Sequence, residues 1–260
     1  MKNLILLLSL FIVTETVNGQ NNWNIGIQLG ALGNSSKFSA GMTDANALFT
    51  NNCYGSGQIG FYTRKTINSH FSFQTGFDFS QLGFSYSIAK DYSLLKERDL
   101  CPQINIGTCI TRIPTSIIYN SKPNCKNVRF IMGIGIAIVA IDNHWDNENM
   151  ATDEISEIVN SGISNMNAEA HSTSKVSGSF TTLIGCEKVF SRGNMLSFTL
   201  QGNCGFAPLA ESSVTYLVNN KNYNHVFTND GSFCGFALCY YFLPVGSKKA
   251  IRNSALPSIK

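Results

Sequence analysis

HFSFQTGFDFSQL, residues His70–Leu82, alternates without a break. Phe71, Phe73, Thr75, Phe77 and Phe79 fall on one side, and His70, Ser72, Gln74, Gly76, Asp78 and Ser80 on the other. A period of two marks an extended strand whose faces meet different surroundings. One face is wide and aromatic; the other is small and polar.

Seven more stretches repeat the pattern: Trp23–Leu32, Ser56–Lys65, Ile104–Asn120, Val128–Ile141, Lys175–Phe190, Met195–Pro208 and Gly231–Leu243. In Val128–Ile141, Phe130, Met132, Ile134, Ile136 and Ile138 oppose Arg129, Gly133, Gly135 and Ala137. In the last stretch Phe236, Leu238, Tyr240 and Phe242 oppose Gly235, Ala237 and Cys239. Pro114 interrupts Ile104–Asn120, where a proline removes a ladder donor, and the expectation is a local bulge. Gly133-Ile-Gly135 is no nucleotide loop, because no helix and no third glycine follow; small residues facing a crowded interior explain it.

The connections alternate long and short. The short ones are 66–69, 121–127 and 191–194; the long ones are Asn34–Tyr54, Gly83–Gln103, Asp142–Ser174 and Leu209–Asp230. Short turns on one side and long loops on the other are the asymmetry of an outer-membrane barrel. Each strand is long enough to cross a bilayer at a tilt. In lipid no strand edge is left unpaired, so the sheet must close. The expected fold is all-β: an eight-stranded antiparallel up-and-down transmembrane β-barrel with four long external loops and three short periplasmic turns. Eight strands leave an interior that side chains nearly fill.

Composition agrees. Charged residues make up 13% of the 260, about half the usual share of a soluble domain. Mean hydropathy is close to zero at +0.01. A helical membrane protein does not fit, since no run of about 18 apolar residues follows Phe11. A soluble exported barrel or sandwich fits poorly as well, because it would turn Phe and Ile faces to water on most strands.

Residues 1–19 have a charged start at Lys2, an apolar core at Leu4–Val13, and small Val17 and Gly19 before Gln20. This is a secretory signal pattern, with an apolar run shorter than a membrane anchor requires. The expected organisation is a signal peptide at 1–19, the barrel at 20–244 and a basic, loose tail at 245–260. Residency in the bacterial cell outer membrane follows.

Eight cysteines in an exported chain raise the question of disulfides. Cys109, Cys186, Cys204, Cys234 and Cys239 lie inside strands as small apolar fillers. A Cys53–Cys101 bridge and a Cys204–Cys234 facing pair stay open. Among Cys and His no spacing fits a metal site, and no cofactor is expected. Asp142–Ser174 carries seven acids and no Lys or Arg. There Asp142, Asp146 and Glu148 form either a cation site or, in the favoured reading, a solvated acidic loop, since the EF-hand glycine and terminal glutamate are absent. Ile155, Ile158, Val159, Ile163 and Met166 have helical spacing and predict a short helix.

The segment Arg112-Ile-Pro-Thr-Ser-Ile-Ile-Tyr119 resembles the E-I-P-L-x-x-K-Y strand of the PorT-like (OmpX-like) outer-membrane β-barrel family. Gly133/Gly135, Gly185-Cys-Glu187 and Gly235–Phe242 sit where that family has similar patterns. Arg112 stands where the family usually has an acid. The resemblance implies the barrel fold and an envelope location, with a secretion- or envelope-related role.

Five charges point inward: Arg64, Asp78, Arg112, Arg129 and Glu187. The expected role of this lumen charge network is structural, holding a plug of side chains together. No catalytic residue is expected. The leading function is a non-enzymatic barrel that binds or scaffolds a partner through its loops or turns. A narrow channel is the alternative. A lipid A-modifying hydrolase using His171 with Ser172 or Ser174 is the weaker one, because Thr173 breaks the His-x-Ser spacing. The expected partners are outer-membrane lipid and an envelope or secretion protein, with no nucleic acid; the oligomeric state is left open.

Overall fold

The computed structural model describes residues 23–34, 36–40, 49–88, 103–141, 163–191, 193–218 and 221–242. The signal pattern, the tail, Cys101, Arg192 and the acids Asp142, Asp146 and Glu148 lie outside the described residues.

Alternating residues extend the chain wherever the sequence predicted it. The wall strands are β1 (Trp23–Asn34), β4 (Tyr54–Thr66), β5 (Phe71–Ile88), β6 (Gln103–Asn120), β7 (Val128–Ile141), β9 (Val176–Val189), β10 (Met195–Gly205) and β13 (Phe233–Phe242). Neighbours pair antiparallel in the order β5-β4-β1-β13-β10-β9-β7-β6, and β5 pairs β6 to close the ring. The fold is therefore an eight-stranded antiparallel up-and-down barrel.

Register sorts the faces. Ile25↔Phe242 and Phe61↔Phe77 place apolar side chains together on the outer wall. Leu29, Ile134, Ile136, Ile138, Phe198 and Phe236 are each more than half exposed there. A contiguous apolar wall of this extent has lipid as its physical complement. Aromatic residues gather at the short-turn end, where Phe71 meets Tyr119 edge-on and Tyr240 meets Phe242. This is the girdle expected at a membrane interface.

The turns use side chains to satisfy freed backbone groups. Asn68 Oδ1 accepts from the backbone N–H groups of His70 and Phe71. Asn124 Oδ1 does the same for Lys126 and Val128. Asn127 has φ 57°, a left-handed conformation that asparagine tolerates.

Four expectations are corrected. No bulge forms at Pro114: its pairing with β7 is continuous, and toward β5 the ladder skips two pairs and resumes in the same register. The vacated position is used by the Thr75 hydroxyl, which donates to the Pro114 carbonyl at 3.1 Å. A side-chain bond thus replaces part of the ladder.

The long connections are not plain loops. They carry β2 (Lys37–Ala40), β3 (Phe49–Asn52), β8 (Ile163–Ser172), β11 (Ala210–Val218) and β12 (Lys221–Asn229). β3 extends the wall beside β5, and the other four form a separate sheet in the order β2-β12-β11-β8. The predicted helix fails where it is described, since Ile163 and Met166 lie in β8; residues 155–162 are outside the described residues.

Cys204 and Cys234 are on neighbouring strands but do not face each other, because Cys234 pairs with Gly202. Both are free and exposed on the outer wall, and Cys53 is free as well.

Candidate functional site: the barrel lumen

The inward residues of the wall build two linked ionic clusters. In the first, β5 and β6 place Asp78 opposite Arg112. Arg112 Nε donates to Asp78 Oδ1 at 2.7 Å, and both side chains are under 5% exposed. The Tyr62 hydroxyl donates to Asp78 Oδ2 at 2.5 Å. The Arg112 guanidinium also lies over the Phe233 ring, 4.1 Å from its centroid.

The second cluster centres on Glu187 of β9, which is fully buried. Its neighbour across the ladder is Arg129, whose Nε donates to Glu187 Oε1 at 2.8 Å. Arg64 reaches it from β4, across the lumen, and donates through Nη1 to Glu187 Oε2. Gln74 Oε1 accepts from Arg64 Nε at 3.0 Å, from Nη2 at 2.7 Å and from the Tyr241 hydroxyl at 2.6 Å. The Arg64 guanidinium also lies over the Tyr241 ring, 4.4 Å from its centroid.

All five inward charges are thus in ion pairs. Such pairing is what burial demands, because an unpaired charge away from water costs several kcal/mol. Three guanidiniums meet two carboxylates, so Glu187 is shared between two arginines. Glycines make room for the bulky partners. A Cβ at Gly26 would lie 2.6 Å from the Tyr241 ring, and one at Gly60 2.8 Å from the Tyr62 ring.

Beside the first cluster lies a cavity of about 40 Å³, bordered by Asp78, Arg112, Ser116, Thr181 and Gln201. At roughly 10–15 Å³ per water this is room for about three waters.

Toward the long-loop end the inward face changes character. Leu82, Phe84, Ile106 and Ile110 replace the polar residues of β5 and β6 and are at most 1% exposed. The separate sheet adds Ala168, Ala170, Val214 and Phe227, and Leu209 precedes its strand β11, all buried. Asn229 Nδ2 ties this sheet to the wall by donating to the Gly83 carbonyl at 2.8 Å. Lys37 Nζ donates to Asp230 Oδ2 at 2.6 Å. Burial pushes the Asp230 carboxyl up, but bonds from Lys37 and Ser232 outweigh this and hold it below its ordinary value. Burial alone pushes His225 down.

The candidate hydrolase residues do not assemble. His171 is exposed on β8, cross-strand from Glu211. The Ser174 hydroxyl donates to the Val176 carbonyl at 2.8 Å and is turned to its own backbone. Among the described residues no cluster of His, Cys, Asp and Glu fits a metal ion.

Sequence reasoning missed Tyr241 and Phe233 as partners of the arginines. Their inward parity in β13 was the available signal.

No family model matches the chain, the PorT-like resemblance included, and no curated protein matches it. Solved structures do. The chain is similar to the outer membrane protein OprG from Pseudomonas aeruginosa, with 10% identity, 86% of this chain and 98% of that one covered, and TM-score 0.46. It is also similar to the N-terminal β-barrel domain of Pseudomonas aeruginosa OprF, at 9% identity over 84% and 97%, TM-score 0.34. Neisserial surface protein A (NspA) matches at 12% identity over 82% and 96%, TM-score 0.36. Scores below 0.5 carry no weight; the barrel rests on the closed strand pairing and its apolar outer wall.

Proposed function

We propose that the chain is a non-enzymatic integral protein of the bacterial outer membrane that binds or scaffolds an envelope partner through its external loops. The observation that carries this reading is the state of the lumen. Its middle is filled by the Asp78–Arg112 and Arg64–Glu187–Arg129 pairs, and the inward face toward its outer end by Leu82, Phe84 and Ile106. A barrel packed in this way offers solutes little path, which leaves its outer surfaces to act. The external connections are built into a paired sheet rather than left as a fringe around a mouth. Ordering them costs about 1–2 kcal/mol of backbone entropy per residue, a cost suited to presenting a fixed surface. The charge network has a structural role in this reading. The partner is an envelope or secretion protein, the class implied by the PorT-like strand pattern. The signal at 1–19 and the loose tail at 245–260 belong to the same proposal.

The test is site-specific photocrosslinking in whole cells. Probes at Glu169, Asn222 and Asn224, exposed on the external sheet, are expected to give a discrete protein adduct. A probe at Ile136, on the lipid-facing wall, is expected to give none. Adducts from turn positions Lys122 or Asn124 alone would move the partner to the periplasmic side. No adduct from either side would sink the binding reading.

A further inference from the structure

Acids and lysines are spread differently along the barrel axis: lysines occur at both ends, with Lys37 and Lys175 on the external side, and the acids do not. The described acids are Asp78, Glu169, Glu187, Glu211 and Asp230. Asp78 and Glu187 are buried in the lumen pairs, and the other three belong to the external sheet or its exit. At the short-turn end the outer surface carries Lys65, Lys122, Lys126 and Lys188 and, among the described residues, no acid. None of these four lysines is in an ion pair among the described residues.

Two of them have a specific height. On β4 the outward row runs Ile59, Phe61, Thr63, Lys65; on β9 it runs Phe180, Thr182, Ile184, Cys186, Lys188. Each lipid-facing row thus ends in an ammonium group at the rim where the aromatic girdle lies. Lys65 pairs with Trp23 in register, and its Nζ lies over the indole, 5.3 Å from the ring centroid. Lys188 Nζ donates to the backbone carbonyl of Lys126 in the neighbouring turn. A lysine that closes an apolar row at an aromatic belt sits where lipid headgroups sit. A protein partner below the turns would instead be met by charges pointing along the axis.

We propose that this rim is a binding site for anionic phospholipid of the inner leaflet, with Lys65 beside Trp23 as its phosphate seat. Each lysine near an anionic headgroup corresponds to about fivefold local enrichment of that lipid.

Trp23 supplies the readout. The protein with Trp145→Phe, leaving Trp23 as the single indole, is reconstituted in phosphatidylcholine bilayers. Brominated phosphatidylglycerol or brominated phosphatidylcholine is then added at equal mole fraction. The expected result is stronger Trp23 quenching by the anionic lipid, by about fivefold in apparent local concentration. Lys65→Gln reduces it to the phosphatidylcholine level, whereas Lys188→Gln, on another strand, leaves the Trp23 signal unchanged. Raising salt to about 0.5 M abolishes the excess in the unsubstituted Lys65 protein, so the test holds even if a lysine variant fails to fold. Equal quenching by the two lipids at low salt would overturn the proposal.

Discussion

Glu187 is the residue on which the lumen depends most. Its carboxylate neutralises two guanidiniums that have no second acid partner among the described residues, since Asp78 is held by Arg112. Replacing Glu187 by Gln leaves Arg64 and Arg129 buried together without an anion. The expected loss is about 3–5 kcal/mol, the scale found when one partner of a buried pair is removed. Urea unfolding in lipid vesicles, followed by the gel shift between folded and unfolded forms, measures it. A change under 1 kcal/mol would show that the cluster is hydrated and of little structural weight. Asp78→Asn removes only one anion from one guanidinium, which keeps its contact with the Phe233 ring, and its cost is expected to be smaller.

At the scale of elements, the wall and the external sheet respond to different perturbations. The outward row of β7 carries Ile134, Ile136 and Ile138 at 55–61% exposure. Ile136→Arg places a charge in hydrocarbon and is expected to cost about 2–4 kcal/mol. The same substitution at exposed Asn224 of β12 is expected to change stability by less than about 0.5 kcal/mol. Equal costs at the two sites would contradict the lipid-facing assignment. The external sheet is instead sensitive to pH. His225 has its folded-state value lowered from 6.5 by burial, so the unfolded hairpin takes up the proton first. Stability of the β11–β12 hairpin is therefore full above about 6.5 and falls as pH drops below it. Asp230 acts lower on the scale: with its value depressed below 3.8, its contribution is present above that pH and is lost on further acidification. Hydrogen-exchange protection of β11 and β12, corrected for intrinsic rate, is expected to decline between pH 7 and 5 by an amount that His225→Gln removes. A pH-independent protection in the unsubstituted protein would exclude the histidine as its cause.

For the whole molecule, the ionic middle and the apolar outer end act in series. Removing either alone leaves the other in place. The purified protein in planar bilayers is expected to show no stepwise conductance, and deletion of residues 210–229 alone is expected to leave it closed. A steady conductance from the intact chain would instead support the narrow-channel alternative.

Strand positions, the inward and outward sets and the number of wall strands were legible in the chain, because a period of two needs no partner to be read. The cross-strand pairs Asp78–Arg112 and Arg129–Glu187 were within reach of the same reading, since both partners lie on adjacent inward rows. What only the tertiary structure decided is the contact of Arg64 with Glu187, from β4 to β9 across the lumen, because it exists only once the sheet closes. The external sheet belongs there as well. Its strands come from three separate connections, and Ala168, Val214 and Phe227 are buried in the folded molecule although those connections are far apart in the chain. Short polar-looking segments of that kind carry no signal of their own, since their pairing is a property of the closed barrel.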